Sequence, residues 1–179
     1  MVAFAEVKTF TWTDIQALPS DGLRRELVGG QLLVTPAPGW SHQRAVANLY
    51  YLLRTACTAE HEVVIAPFDW YLAEDTYFEP DLLVVPRPTQ LTQRFEGVPL
   101  LVVEVLSPST RTADRVTKMD TYARAGAPHY WIVDPEAPDI TAQTLEGDRY
   151  REVGRAQGEE ALRVTRPFAV EVIPARLID

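Results

Sequence analysis

Cysteine is nearly absent. Cys57 is the only one in 179 residues, which excludes an internal disulfide and any zinc cage built from several thiolates. Lysine is almost as scarce: against 15 arginines there are two, Lys8 and Lys118. Positive charge is in deficit overall, with 17 Lys and Arg against 25 Asp and Glu and a formal net charge of −8. A chain of that sign is no basic nucleic-acid coat, and it can meet a polyanion only through a local site. Long apolar runs are missing too. The longest, Val98–Val105, is interrupted by Glu104 and falls far short of the roughly 18–20 residues of a membrane span. The N-terminal MVAFAEVKTF has no basic segment followed by an apolar one. Together with the lack of cysteine, this makes the cytoplasm the expected compartment.

What is there has a globular balance, 46% hydrophobic and 23% charged, in a length that suits one domain. No repeat or linker divides it. The expectation is a single domain over 1–179, with a core at about 23–135 and a β tail over 136–179. A short helix is expected over Thr13–Leu18, stopped by Pro19. Arg24–Val34 reads as a hairpin around Gly29-Gly30. Ser41 can cap a helix to about Thr58, whose Val46, Leu49, Tyr50, Leu53 and Cys57 fall on one face. Strands are expected at His61–Leu72, Phe78–Val85, Pro99–Leu106 and His129–Asp134. Between the last two, Ser109 or Thr110 can start a helix that Gly126 ends. Short β segments follow, with turns at Glu146-Gly147-Asp148 and around Gly154–Gly158. The fold class is therefore α/β (α+β), a mixed sheet flanked by helices, with an N-terminal hairpin and a C-terminal β extension.

Two acids stand where acids are costly. Asp81 heads DLLVV and Glu104 interrupts LLVVEVL. An unpartnered carboxylate in an apolar strand costs several kcal/mol. An arginine or a helix start could satisfy either acid alone. On neighbouring strands, two such acids repel each other, and a divalent cation between them removes both penalties. All-oxygen donors of this kind suit Mg²⁺ or Mn²⁺, and sharing one ion requires carboxylates within about 4–6 Å. Downstream, Asp114, Lys118 and Tyr122 are spaced four apart and share a helix face. An Asp114–Lys118 surface pair is the ordinary reading. In so arginine-rich a chain, however, a lysine suggests that a compact, tunable ammonium is needed. The helix Arg111–Ala125 carries a local excess of two positive charges in an acidic protein.

RRELVGGQL, His42, EPDLLVV, PLLVVEVLSPST, DRVTKMDTYARAG and HYWIVDP, in this order, resemble the PD-(D/E)XK nuclease superfamily. More closely they are similar to its Uma family of restriction-endonuclease-like proteins. The likeness spans Leu23–Tyr150. It implies a restriction-endonuclease-like core and a Mg²⁺- or Mn²⁺-dependent endonuclease acting on nucleic acid, DNA in the first place. It further implies Asp81, Glu104 and the backbone carbonyl of Val105 as metal ligands, with Glu26 as an additional one. The superfamily's lysine, two residues after the acid, is replaced here by Leu106, so the role passes to Lys118. That lysine would orient or deprotonate the attacking water, or neutralise charge on the phosphate. Arg111 and Arg115 are candidates for phosphate contact. His42 either contacts the phosphate or braces the start of its helix. Tyr122 supports Lys118 by a hydrogen bond or packs under the sheet. His61 and His129 receive no role, and Tyr130, Trp131 and Trp70 read as core. Relatives tend to dimerise, and the apolar tail segments Ala161–Val164 and Phe168–Ile173 look made for a partner, so a homodimer is expected. The competing class is a catalytically silent nuclease-fold module for binding or regulation, which the Leu106 departure and the acidic balance favour.

Overall fold

The computed structural model describes residues 9–19, 21–88, 90, 92–107 and 113–179, of which 113–116 by backbone alone. Helix α1 (Trp12–Gln16) is the first element of the described residues, its start held by a reciprocal pair of bonds between Thr11 and Asp14. Strands β1 (Arg24–Val28) and β2 (Gln31–Thr35) form the expected hairpin. Gly29 and Gly30 both take positive φ, +55° and +77°, which a two-residue turn of this hand requires. Helix α2 (Trp40–Ala56) starts earlier than expected. Gly39, not Ser41, is its cap. Pro36 and Pro38 hold the preceding chain extended, so helical geometry becomes available at once after Gly39.

Two of the expected strands each divide. His61–Leu72 becomes β3 (His61–Ile65) and β4 (Asp69–Ala73). Phe78–Val85 becomes parts of β5 (Thr76–Phe78) and β6 (Leu82–Pro86). Pro67 and Pro80 fall at the breaks, where a residue without an N–H cannot extend a ladder. The halves join different sheets. β2-β1-β5-β4-β7, where β7 is Arg94–Phe95, make a five-stranded sheet. The larger sheet adds β8 (Leu101–Val105), β9 (His129–Asp134), β10 (Asp139–Glu146) and β11 (Arg149–Gln157), in the order β11-β10-β9-β8-β6-β3. Its β8–β9 pair is parallel, and helix α3 (Ala113–Arg124) is the crossover between them. The expected helix starts Ser109 and Thr110 lie outside the described residues; Gly126, at φ +80°, follows the helix end as expected. β11 runs straight through Gly154, so the expected turn moves to Gly158.

The six-stranded sheet is covered on both faces. On one, Leu101, Val103 and Val105 pack with α2 (Leu49, Leu53). On the other, Val102 and Leu106 pack with Tyr122 of α3 and with Trp70 and Phe78 of the smaller sheet. The chain's last strands, β12 (Leu162–Val164) and β13 (Val170–Val172), and a closing 3₁₀ turn (Pro174–Leu177) lie against the first face. Leu162, Phe168, Val172 and Leu177 are buried there. The tail's apolar residues thus complete the chain's own core rather than awaiting a partner. Among the described residues no helix is long and apolar enough to cross a membrane.

Candidate active site

Strands β6 and β8 run antiparallel with Leu82 opposite Val103 and Leu83 opposite Val102. Carrying that register one residue further sets Asp81 opposite Glu104. Side chains alternate across a sheet, so both acids share the face of Leu83 and Val102, beneath α3. Both are buried. Strand β1 approaches the same face, and its Arg24 and Glu26, two apart, point the same way. Helix α3 contributes Lys118 and, one turn on, Tyr122.

The groups interlock. Lys118 Nζ lies 2.8 Å from Glu26 Oε2 and 3.2 Å from Glu104 Oε1. Tyr122 donates to that same Glu104 oxygen at 2.6 Å. Arg24 Nη1 donates to Asp81 Oδ1 at 2.9 Å, while its Nη2 lies 3.4 Å from Glu26 and 3.8 Å from Glu104 Oε2. The backbone N–H of Val105 donates to Asp81 Oδ2 at 2.8 Å, and His42 Nε2 is 3.2 Å from that oxygen. Glu26 also accepts from the Glu79 N–H at 2.9 Å. A cleft of about 40 Å³ opens onto Arg24, His42, Asp81, Glu104, Val105 and Lys118. That is room for an ion or a few waters.

Burial pushes all three carboxyls upward, but their neighbours differ. Lys118 and Arg24 outweigh burial at Glu26 and hold it below the usual range. At Asp81, the His42 bond and Arg24 do the same. Glu104 ends raised, because burial and the nearby Asp81 charge exceed the pull of Lys118. Burial alone would lower Lys118, yet Glu104 and Glu26 raise it and keep it an ammonium. Tyr122 is pushed well up by burial and Glu104, so it stays a phenol. Three buried carboxylates against two permanent cations leave the cluster short of positive charge.

The residues singled out in the sequence mostly meet. Asp81, Glu104, Glu26, Lys118, His42 and Tyr122 form one cluster, and Val105 enters it through its N–H. Two readings change. Lys118 is buried against Glu26 and Glu104 rather than lying at the surface. Tyr122 packs under the sheet against Trp70, Phe78 and Tyr130, the second of its two expected roles, and its hydroxyl donates to Glu104 rather than to Lys118, since a carboxylate is the better acceptor for a buried phenol. Arg111 lies outside the described residues, as do the side chains of Asp114 and Arg115. Arg24 was missed, although a buried Glu26 two residues along a strand calls for a cation on the same face. Glu79 was missed too. Burial lifts its carboxyl to about 7.

The donor set fits a hard divalent cation. All side-chain donors are oxygens, two like charges are buried side by side, and one of them is electrostatically unsettled. Among the described residues no three His, Cys, Asp or Glu side chains form a ready cage. Magnesium, however, is commonly held by one or two carboxylates, with other ligands from outside the protein.

Among curated proteins none matches the chain. Among solved structures, one from Anabaena variabilis, described as "a putative nuclease belonging to DUF820", superposes with a TM-score of 0.76 at 18% identity. The match covers 94% of this chain and 97% of that one. The two chains thus share one mixed α+β fold. The model of the Uma2 family, described as "Putative restriction endonuclease", matches residues 12–175, and the chain belongs to that family.

Proposed function

We propose that the protein is a divalent-metal-dependent endonuclease that hydrolyses phosphodiester bonds in DNA. The observation that carries this reading is the convergence of Asp81 and Glu104 from adjacent strands with Lys118 from the next helix, at one small cleft. Asp81 and Glu104, with the Val105 carbonyl, would hold Mg²⁺ or Mn²⁺. Such an ion, when bound, supplies Lewis-acid polarisation of the phosphate and lowers the pKa of water. The protein's own groups do the rest. Lys118, kept protonated by its two acids, orients water by donation and neutralises charge gathering on the phosphorus oxygens. Glu26, engaged by Lys118, Arg24 and the Glu79 N–H, aims the lysine and is the weaker candidate ligand. Tyr122 fixes one oxygen of Glu104, leaving the other for the cleft. His42 and the Val105 N–H orient Asp81. Arg111 and Arg115 remain proposed phosphate contacts on the sequence alone.

A catalytically silent module has no need of two buried acids lining one cleft and a third paired with the same lysine, each costly to keep, which supports catalysis. The proposal extends to a homodimer in the cytoplasm. The test is purified protein with Mg²⁺ or Mn²⁺ against plasmid, single-stranded DNA and RNA. Metal-dependent cleavage of DNA is expected, falling at least about a hundredfold in Asp81→Asn and Glu104→Gln. Cleavage that survives chelation or either substitution rejects the reading.

A further inference from the structure

Two cations serve the three buried carboxylates, and they are placed differently. Lys118 is only 8% exposed. Arg24 reaches in from β1, and its side chain is 20% exposed against 4% for Asp81. Its fork touches every acid of the cluster: Nη1 on Asp81, Nη2 near Glu26 and Glu104. Nη2 also donates to the backbone carbonyl of Glu79. Its Nε is buried with no hydrogen-bond partner, so the attraction of the acids for the fork holds the side chain here at the cost of one unmet donor. Arg24 Nη1 therefore occupies the open side of Asp81, and Nη2 lies toward the Glu104 oxygen that Tyr122 and Lys118 leave free.

A divalent ion and a guanidinium compete for those oxygens. At separations of a few ångströms in a buried site their repulsion is severe. Of the two cations Arg24 is the more exposed, 20% against 8% for Lys118, and so is the one placed to leave. We propose that Arg24 is an exchangeable counter-ion. Without metal it neutralises Asp81 and Glu104; a divalent cation displaces it, and its freed fork then faces the cleft mouth as a ligand for substrate phosphate. This rests on the metal-dependent reading above.

The test is calorimetric titration of Mn²⁺ into the wild type and Arg24→Gln, with melting temperatures at each metal concentration. Arg24→Gln should bind Mn²⁺ at least about tenfold more tightly, since no cation has to leave. It should melt lower than the wild type without metal and recover when Mn²⁺ is added. Its turnover should nevertheless fall, a split that loss of a merely structural bridge does not produce. Equal or weaker Mn²⁺ binding by Arg24→Gln, with the wild type still binding, overturns the exchange and leaves the metal reading standing. Binding by neither protein removes both. Should Arg24→Gln fail to fold, the arginine side-chain ¹⁵N signals of the wild type decide, with Arg24→Lys giving the assignment. Nη rotation slowed by the acids should become fast on saturation with Mg²⁺, and an unchanged signal rejects the exchange.

Discussion

Lys118 is held from two sides, by Glu26 and by Glu104, so its removal has two separable effects. Lys118→Met should lower turnover at least about a hundredfold, the scale of a lost charge-stabilising group. It should also cost about 3–5 kcal/mol of stability, because Glu26 is left charged and buried. Adding Glu26→Gln should return much of the stability and none of the turnover. Urea denaturation of the two single variants and the double variant measures that coupling, and additive losses would deny it. Lys118→Arg should not rescue turnover, since the wide guanidinium fork does not fit a point-charge site. Glu79 gives a pH signature. Burial lifts its carboxyl from an ordinary 4.5 to about 7, so the native state holds the proton more tightly than the unfolded chain. Stability from this group is present at low pH and is lost as pH rises from 4.5 to 7. Glu79→Gln should therefore gain on the wild type across that window and run parallel to it above. Urea midpoints at about pH 4.5, 6 and 8 check this, and a pH-independent difference would rule it out. Asp81, Glu104 and Lys118 were legible in the sequence because a charge in an apolar strand, or a rare lysine, has few inexpensive explanations. Arg24 was not, being one arginine of many beside Arg25. Its meaning lies in long-range pairing, as does the choice of Glu104 as the partner of Tyr122.

The element β8–α3–β9 carries much of the site, and Leu106 shows how it departs from the superfamily that its motifs resemble. Leu106 follows Glu104 by two residues, is buried and lines the cleft. The superfamily's lysine would stand there and reach the same space. Leu106→Lys combined with Lys118→Met should therefore recover part of the turnover that Lys118→Met loses, with the exchange of one cation for another keeping the cluster's charge. A double variant no more active than Lys118→Met would mean that the helix, not the charge alone, defines the role. At this scale the hairpin was legible, because Gly29-Gly30 names its turn. The long helices were legible from their apolar faces. The division of His61–Leu72 and Phe78–Val85 between two sheets was not. An apolar run reports burial, but which neighbour covers it depends on the whole fold. The tail misled for the same reason: its apolar strands were evident, their cover by α2 was not.

Across the whole molecule, the homodimer proposal loses the support of the tail and gains another. The apolar tail is internal, but Leu23 and Ile65 stay exposed in a groove beside the cleft. Strands β2 and β3 also end their respective sheets. Light scattering at micromolar concentration should give twice the mass of the 20.1 kDa chain, and Leu23→Glu or Ile65→Lys should lower it. A monomer mass for the wild type disproves the assembly. The parallel β8–β9 pair has a further consequence, one of timing. Glu104 and Lys118 are 14 residues apart, whereas Glu26 and Lys118 are 92 apart. Short loops close before long ones. During folding, the β8–α3–β9 unit can bring Lys118 to Glu104 while the hairpin bearing Arg24 and Glu26, although synthesised first, has still to dock. A chain emerging from the ribosome or partly unfolded therefore carries half a site. The proposed chemistry would wait until that long-range contact had formed.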